Sequence, residues 1–468
     1  MIAPIVFASL LAQSEATSQP VEYRDWVEYS WVTASEPTSK GFGFVAGRLT
    51  DRLPDWVEPN VPGLLGIGFD SLNPKTQDMF NADGNWYGRP EQEVSIHWNG
   101  REVANRLSPV AVRSEAGQRY RVRSESVVGG SEVSVWVGES AVFDRFFVPG
   151  MKPRLDAWMV GGYQVAEATG ATTTFGSRPV NLEEPIKVSV FNQEVNNAQR
   201  HRFNQMVELP ERLRGVGRVV ATFRLGPTAA GIDRWDRLGQ IFLVPEKGDR
   251  VELLRFITPY RKGWEWKVDV TDFLPLLTGK TSFEYVCETW GEGWSVDLDL
   301  EFSFGKRAWI PTNVQNLWSG VVVLGDPTNP TESQLPTLNL PRIGANERAE
   351  LRWVVTGHGQ SPNAENAAEF LPLWRRVMVG SQTFTNTLWK DDVYLNPCRP
   401  QGGTWKFSRA GWAPGDTVKP WEIDVTDLLR KGTQTLRYEI QPYTNTSPDP
   451  GNPARQVIEA QLIVYRKG

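Results

Sequence analysis

Three acidic side chains stand in settings from which a water molecule could be activated. Asp236 lies in Gly231-Ile232-Asp233-Arg234-Trp235-Asp236-Arg237, just ahead of the apolar run Gln240-Ile241-Phe242-Leu243-Val244. Glu369 lies in Ala367-Ala368-Glu369-Phe370-Leu371, just ahead of Arg376-Val377-Met378-Val379, and Glu288 follows Phe283-Glu284-Tyr285-Val286-Cys287 close to Trp290. Carboxylates forced close together acquire separate pKa values, so one stays ionised as a base while another keeps a proton. The same acids would equally serve as ion-pair partners of Arg234, Arg237, Arg375 and Arg376, and spacing alone does not choose between these roles. Other chemical instruments are scarce. The three histidines, His97, His201 and His358, are scattered and form no His-x-His or HExxH pattern, which argues against an imidazole zinc or copper centre, including that of a copper monooxygenase. Cys287 and Cys398 give neither a CxxC nor a disulfide framework, and no Gly-x-Ser-x-Gly elbow or phosphate-binding loop occurs. No cofactor is expected. Asp70, Asp78 and Asp83 could offer oxygen ligands to calcium, although Asx turns account equally well for Asp78 and Asp83-Gly84.

The elements that must hold these acids come from a repeat. Trp266-Lys267-Val268-Asp269-Val270-Thr271-Asp272-Phe273-Leu274 returns as Trp421-Glu422-Ile423-Asp424-Val425-Thr426-Asp427-Leu428-Leu429. Each copy is followed by a glycine, Gly279 or Gly432, and an alternating run. Two like β-domains are predicted, at 186–306 and 307–468, with 309–345 as a Pro-, Asn- and Thr-rich connection wrapping the second. The aspartates common to both copies, Asp269, Asp272, Asp424 and Asp427, read as caps of a strand-to-turn transition. Glu288 differs: its counterpart is Gln441, so it is not required by the scaffold. In this frame Asp236 and Glu369 occupy the same loop of the two domains, and a groove between paired sandwiches is a common place for a site.

Ahead of the repeat, 22–183 has its own alternating strands, among them Val94-Ser95-Ile96-His97-Trp98 and Glu132-Val133-Ser134-Val135-Trp136. Its glycine-spaced strands Gly66-Ile67-Gly68-Phe69-Asp70 and Trp158-Met159-Val160-Gly161-Gly162 resemble the concanavalin-like lectin fold. The fold class is therefore all-β, with a concanavalin-like β-sandwich followed by the repeated pair. Residues 1–16 hold an apolar run and a Ser14-Glu15-Ala16 cleavage pattern without a positive start, which predicts a signal peptide and a secreted or periplasmic protein. That run is too short to span a bilayer, and no later apolar stretch predicts a membrane span. A net charge of -5 disfavours nucleic acid as a partner. Twenty tryptophans exceed what three cores need, and an indole offers a flat face with an N–H at its edge, suited to sugar rings.

At the acidic residues the chain resembles the peptide-N-glycosidase F family. The likeness is carried by "DRWDR" (233–237), "RFITPY" (255–260), "VDVTDF" (268–273), "CETW" (287–290), "SVDLDL" (295–300), "TGHG" (356–359), "AAEF" (367–370) and "SRAGWAPG" (408–415), in the family's order across about 195–465. The resemblance implies two eight-stranded antiparallel jelly rolls side by side. It also implies hydrolysis of the amide joining an N-glycan to asparagine, on glycoproteins or glycopeptides, by a monomer without metal. It places the primary catalytic acid on Asp236 and the supporting acids on Glu288 and Glu369. Substrate contacts fall on Arg237, Trp290, His358, Arg409 and Trp412, with the two tryptophans facing the core GlcNAc rings. The chain departs from the family where Ile232, Ala367, Leu371 and Ala413 stand at or beside cysteine positions, which removes staples worth about 2–4 kcal/mol each. Phe370 stands in place of a tryptophan. The alternative reading is a non-catalytic glycan-binding protein of the same fold.

Overall fold

The computed structural model describes residues 6–7, 26–35, 41–47, 58–71, 92–151, 158–162, 166–176 and 184–468, apart from 212, 246, 247, 360, 391, 394, 395, 397, 447, 448 and 450. The chain divides into two compact units, Met1–Glu183 and Glu184–Gly468. Both are built from antiparallel strands, in keeping with short alternating runs punctuated by glycine and proline. No helix among the described residues is long and apolar enough to cross a membrane.

The first unit is a sandwich of one six-stranded and one five-stranded sheet. Alternation along Trp26–Thr33 sends Val27, Tyr29 and Trp31 inward, where Trp31 stacks on Phe44 and Tyr120. Along Glu93–Trp98, Val94 and Ile96 enter this core, while Glu93, Ser95 and His97 take the opposite face and are also buried. Val6–Phe7 pairs with Met159 and Val160; the rest of the expected signal segment lies outside the described residues.

In the second unit two four-by-four sandwiches repeat one topology. The first has sheets ordered Ile186–Asn196, Trp294–Phe304, Val216–Gly226, Trp264–Asp269 and Arg202–Leu209, Gly279–Cys287, Leu238–Val244, Val251–Ile257. The second has Trp309–Val323, Arg455–Lys467, Glu347–His358, Trp421–Asp424 and Leu338–Leu340, Gln434–Ile440, Leu373–Val379, Gln382–Leu388. These are the two eight-stranded jelly rolls, and the repeated segments match in detail. Trp266 lies opposite Phe223 and Trp421 opposite Trp353. Thr271 Oγ1 accepts from Val219 N–H at 2.9 Å and Thr426 Oγ1 from Ala349 N–H at 3.0 Å. Asp269 and Asp424 each accept the N–H of the threonine two residues on, at 3.0 and 2.9 Å, so both terminate strands rather than perform chemistry. Each roll packs an aromatic stack at its centre, Phe223 on Trp266 in one and Trp353 on Tyr438 in the other. Truncating such a ring to alanine costs about 3–5 kcal/mol.

Residues 309–345 correct the sequence expectation. They open with the 15-residue strand Trp309–Val323, which pairs along its length with Arg455–Lys467. Register shifts between Pro311 and Asn313 and between Asn316 and Trp318 space the buried Val314, Trp318 and Val322 like a helix face, which conceals the strand's alternation.

The rolls are joined by main-chain bonds. Ile257 N–H donates to Asp416 O at 2.9 Å, Gly415 N–H to Ile257 O at 3.0 Å and Val418 N–H to Arg255 O at 2.8 Å. Beside them Arg255 is fully buried, gripping Glu252 through two bonds and reaching Thr356 Oγ1 and Val457 O of the second roll. A buried cation needs such full pairing, because leaving it unmatched would cost several kcal/mol, roughly.

Candidate functional site

Asp236 occupies the loop between Val216–Gly226 and Leu238–Val244, and Glu369 the loop between Glu347–His358 and Leu373–Val379, which are the same connection in the two rolls. No disulfide holds either loop; both described cysteines are free and buried. In the first loop the staple's work falls to hydrogen bonds. Buried Asp233 accepts from Trp235 N–H at 2.9 Å and from the Thr289 hydroxyl. Buried Thr258 clasps the peptides on either side of Asp236: its Oγ1 accepts from Arg237 N–H at 2.7 Å and donates to Trp235 O at 2.9 Å. Its own N–H donates to Arg237 O at 2.9 Å.

In the second loop Glu369 sits on the single helical turn Ala367–Phe370. The turn is entered through Glu365 and Asn366, both left-handed at φ 53° and 52°, and Asn366 exchanges bonds with Ser361 at 2.8 and 2.9 Å. Glu369 O accepts from Ala410 N–H at 2.8 Å. Gly357 lies under the turn, where a Cβ would come within 1.9 Å of Ala368 O, so only glycine permits this approach.

Between the loops stands Arg409, 2% exposed. Its Nη1 donates to Thr404 O and Phe407 O and its Nη2 to Thr404 Oγ1 at 2.8 Å. Nη2 is 3.8 Å from Asp236 Oδ2 and Nε is 3.9 Å from Glu369 Oε1, so one guanidinium faces both carboxylates. Burial raises the pKa of Asp236, while Arg409, Tyr260, its own backbone N–H and Arg237 pull it down. Burial pushes Glu369 up to about 7, with Arg409 opposing and the charge of Asp236 adding to the rise. The pair thus has the unequal proton affinities that let one carboxylate accept a proton while its neighbour holds one.

The remaining sequence-selected residues lie around this centre. Trp290 is 69% exposed, with the Arg237 guanidinium 4.7 Å over its ring. Glu288 stands exposed at the end of Gly279–Cys287, and no bond or ion pair links it to Asp236 or Glu369 among the described residues. At the matching place Gln441 is tied to Trp374 in both directions, by N–H to O at 2.9 Å and by Oε1 from N–H at 3.1 Å. Trp412 differs from expectation. It is 5% exposed, its Nε1 donates to Gly357 O at 2.8 Å, and its ring meets His358 at 5.2 Å and Arg409 at 4.7 Å. It presents its face to these groups and not to solvent, because the main chain of Gly357 draws it into the seam. His358 is neutral there, its pKa driven down to about 3 by burial and then by Arg455, Arg255 and Arg409.

Three participants were not singled out from sequence. Trp235 is 53% exposed beside Asp236, and Tyr260 and Thr404 bond to one another near the same carboxylate. Trp235 was visible as the indole next to the acid. Tyr260 closes the "RFITPY" string, and Thr404 had no signal at all. In the first unit, Asp70 lies with Glu58 and Glu93, their ligand atoms within 4.8 Å of one another, while Asp78 and Asp83 lie outside the described residues.

Residues 330–462 match the family model described as peptide-N-glycosidase F, C terminal, and 246–302 the one described as its N terminal. These spans contain Glu288, Glu369 and Arg409 and begin after Asp236. Peptide-N(4)-(N-acetyl-beta-D-glucosaminyl)asparagine amidase F of Elizabethkingia miricola is 31% identical over 232 residues, which cover 46% of this chain and 64% of that protein. The chain therefore spans less than two thirds of this curated relative in the alignment. Among solved structures, PNGase F, a glycosylasparaginase from Flavobacterium meningosepticum, shares the fold at TM-score 0.53 and 21% identity, over 61% of this chain and 96% of the other. A crystal structure of peptide-N(4)-(N-acetyl-beta-D-glucosaminyl) asparagine amidase does so at TM-score 0.54 and 22% identity, over 61% and 97%. Both halves of the double jelly roll are thus matched, in order, by models of the peptide-N-glycosidase F family, to which the chain is similar.

Proposed function

We propose that the chain hydrolyses the amide between asparagine and the first GlcNAc of an N-glycan, on glycoproteins or glycopeptides. The reading is carried by one observation: acids from equivalent loops of two rolls converge on a single buried guanidinium. Asp236, ionised, takes a proton from water as the oxygen attacks the side-chain carbonyl. The C–N bond then breaks as the nitrogen takes that proton back from Asp236 and leaves with the sugar as a glycosylamine, and asparagine becomes aspartate. Glu369, protonated up to about neutral pH, is able to donate a hydrogen bond to that water or to a chitobiose hydroxyl. Arg409 keeps the negative charge of the pair from accumulating, and the buried Trp412 supports Arg409 from behind. The exposed indoles of Trp235 and Trp290 offer the flat faces for the two core sugar rings, with Arg237 and Glu288 at the rim.

The test is mass spectrometry of a denatured N-glycosylated protein incubated with the purified chain. Release of the glycan with conversion of asparagine to aspartate at the attachment site is expected, and a chelator should not alter it. Arg409 already supplies the cation that two such carboxylates require. Glycan binding without that conversion would favour a non-catalytic glycan-binding protein.

A further inference from the structure

The strand Val251–Ile257 exits through Thr258-Pro259-Tyr260, and the last of these points at the site by a different route from Thr258. Tyr260 is buried, its N–H donates to Gln401 Oε1 at 3.1 Å, and its ring packs so closely on Gly403 that a Cβ there would meet it at 2.6 Å. The phenol oxygen lies 2.9 Å from Thr404 Oγ1, and Thr404 Oγ1 accepts from Arg409 Nη2 at 2.8 Å. The polarity of this chain is constrained at its Arg409 end. A guanidinium only donates, so the Thr404 hydroxyl accepts from Arg409; its own single hydrogen is then available to the Tyr260 oxygen, the other side-chain partner of this hydroxyl among the described residues. With that direction the Tyr260 hydrogen is free for Asp236, whose charged form a bond from this phenol favours, and Asp236 returns to Arg409 across 3.8 Å.

We propose that Tyr260 is a positioning residue, which closes a ring of Asp236, Tyr260, Thr404 and Arg409 and so fixes the carboxylate and guanidinium as one unit. The proposal rests on the reading of Asp236 as the base. The ring crosses the seam, with two members from each roll, and ties the strand end of the first to the loop of the second. Chemically it offsets burial: the phenol favours the charged form of Asp236 that desolvation disfavours. In a site lacking disulfides, it also aims the carboxylate where Thr258 can hold only the main chain.

The experiment follows Tyr260→Phe, Thr404→Val and Thr404→Ser in the full chain by two readouts. One is the titration of Asp236 by carboxyl carbon-13 NMR, assigned by its loss in Asp236→Asn. The other is kcat and KM for glycopeptide hydrolysis across pH. Tyr260→Phe should raise the Asp236 pKa by about one unit and lower kcat about tenfold with little change in KM, shifting the acid limb of the profile upward. Thr404→Val should shift both in the same direction by less, and Thr404→Ser should restore the wild-type values. An unchanged titration and acid limb in both Tyr260→Phe and Thr404→Val would overturn the positioning role while leaving the amidase reading intact. A shifted titration in a wild-type background that releases no glycan would do the reverse. Should Tyr260→Phe fail to fold, Thr404→Val keeps the Tyr260 phenol, breaks the ring at Thr404 and decides the matter alone.

Discussion

The two jelly rolls share a strand order and the same Asp-Val-Thr strand ending, yet they are unequal where it matters. In the first, the strand Val251–Ile257 returns to Trp264–Asp269 through the short connection 258–263. In the second, the equivalent return from Gln382–Leu388 to Trp421–Asp424 takes the excursion 389–420, which carries Thr404, Arg409 and Trp412. The first roll thus supplies an acid on a loop held by Thr258 and Asp233, and the second supplies both an acid and the cation that faces the pair. The same contrast holds between Glu288 and Gln441, one exposed beside an indole and the other spent on Trp374. Duplication gave the frame, and the chemistry resides where the copies diverged.

The sharpest way to break this comparison is Asp236→Asn, which keeps the shape of the side chain but removes the base. Glycan release should fall by about 10²–10⁴-fold with an unchanged melting temperature, and an active variant would remove the first roll from the chemistry. Next comes Arg409→Gln. Without the guanidinium, the half-buried acids Asp236 and Glu369 lose the cation that faces both. Activity should drop by about 10²-fold, and stability by about 1–3 kcal/mol in denaturant unfolding, the cost of stranding partly buried charge.

Glu369→Gln separates catalysis from stability through pH. Its folded pKa is raised from 4.5 to about 7, so the native state holds a proton that the unfolded state has released. The wild type therefore loses stability as pH rises from about 4.5 through 7. The variant should be less active throughout, but more stable above pH 7 by about 1–3 kcal/mol, with the gain absent near pH 4. Glycan release by the wild type should fail on the acid side at a pH above the ordinary aspartate range of about 4, because Asp236 is also raised. The smallest contrast is Glu288→Gln against Gln441→Ala. The former should weaken turnover several-fold and leave stability alone. The latter should leave turnover alone and cost about 1 kcal/mol, the value of the one side-chain bond it removes, from Trp374 N–H to Gln441 Oε1.

Much of this was legible from residues alone. The tryptophan-led repeat gave the double roll because a hydrophobic register and a capping threonine recur together, and the loop equivalence of Asp236 and Glu369 follows from that frame. What escaped depends on long-range packing. Trp412 reads as a sugar platform until Gly357 and His358 are seen against it, since sequence does not say which side of an indole is covered. Trp309–Val323 escaped because its bulges break the period of two. Thr404 is an ordinary threonine in a glycine-rich loop, and only the fold brings its hydroxyl between Arg409 and Tyr260.

The main-chain bonds between Val251–Ile257 and 415–418 have a consequence for modularity. Val251–Ile257 is the outermost strand of its sheet, buried throughout and apolar apart from the Glu252–Arg255 pair. Stripped of its neighbour, it would expose a row of unpaired peptide groups on a mostly apolar ribbon and take Arg255 from its partners Thr356 and Val457, and a bare strand edge is the kind of template on which chains aggregate. Gln382–Leu388, the corresponding margin of the second roll, is threonine-rich and largely exposed, and so tolerates water. The first roll is thus an obligate dependant of the second. It cannot be exchanged as a free-standing module, and on emerging during synthesis it must wait for residues 415–418 before its margin is sealed.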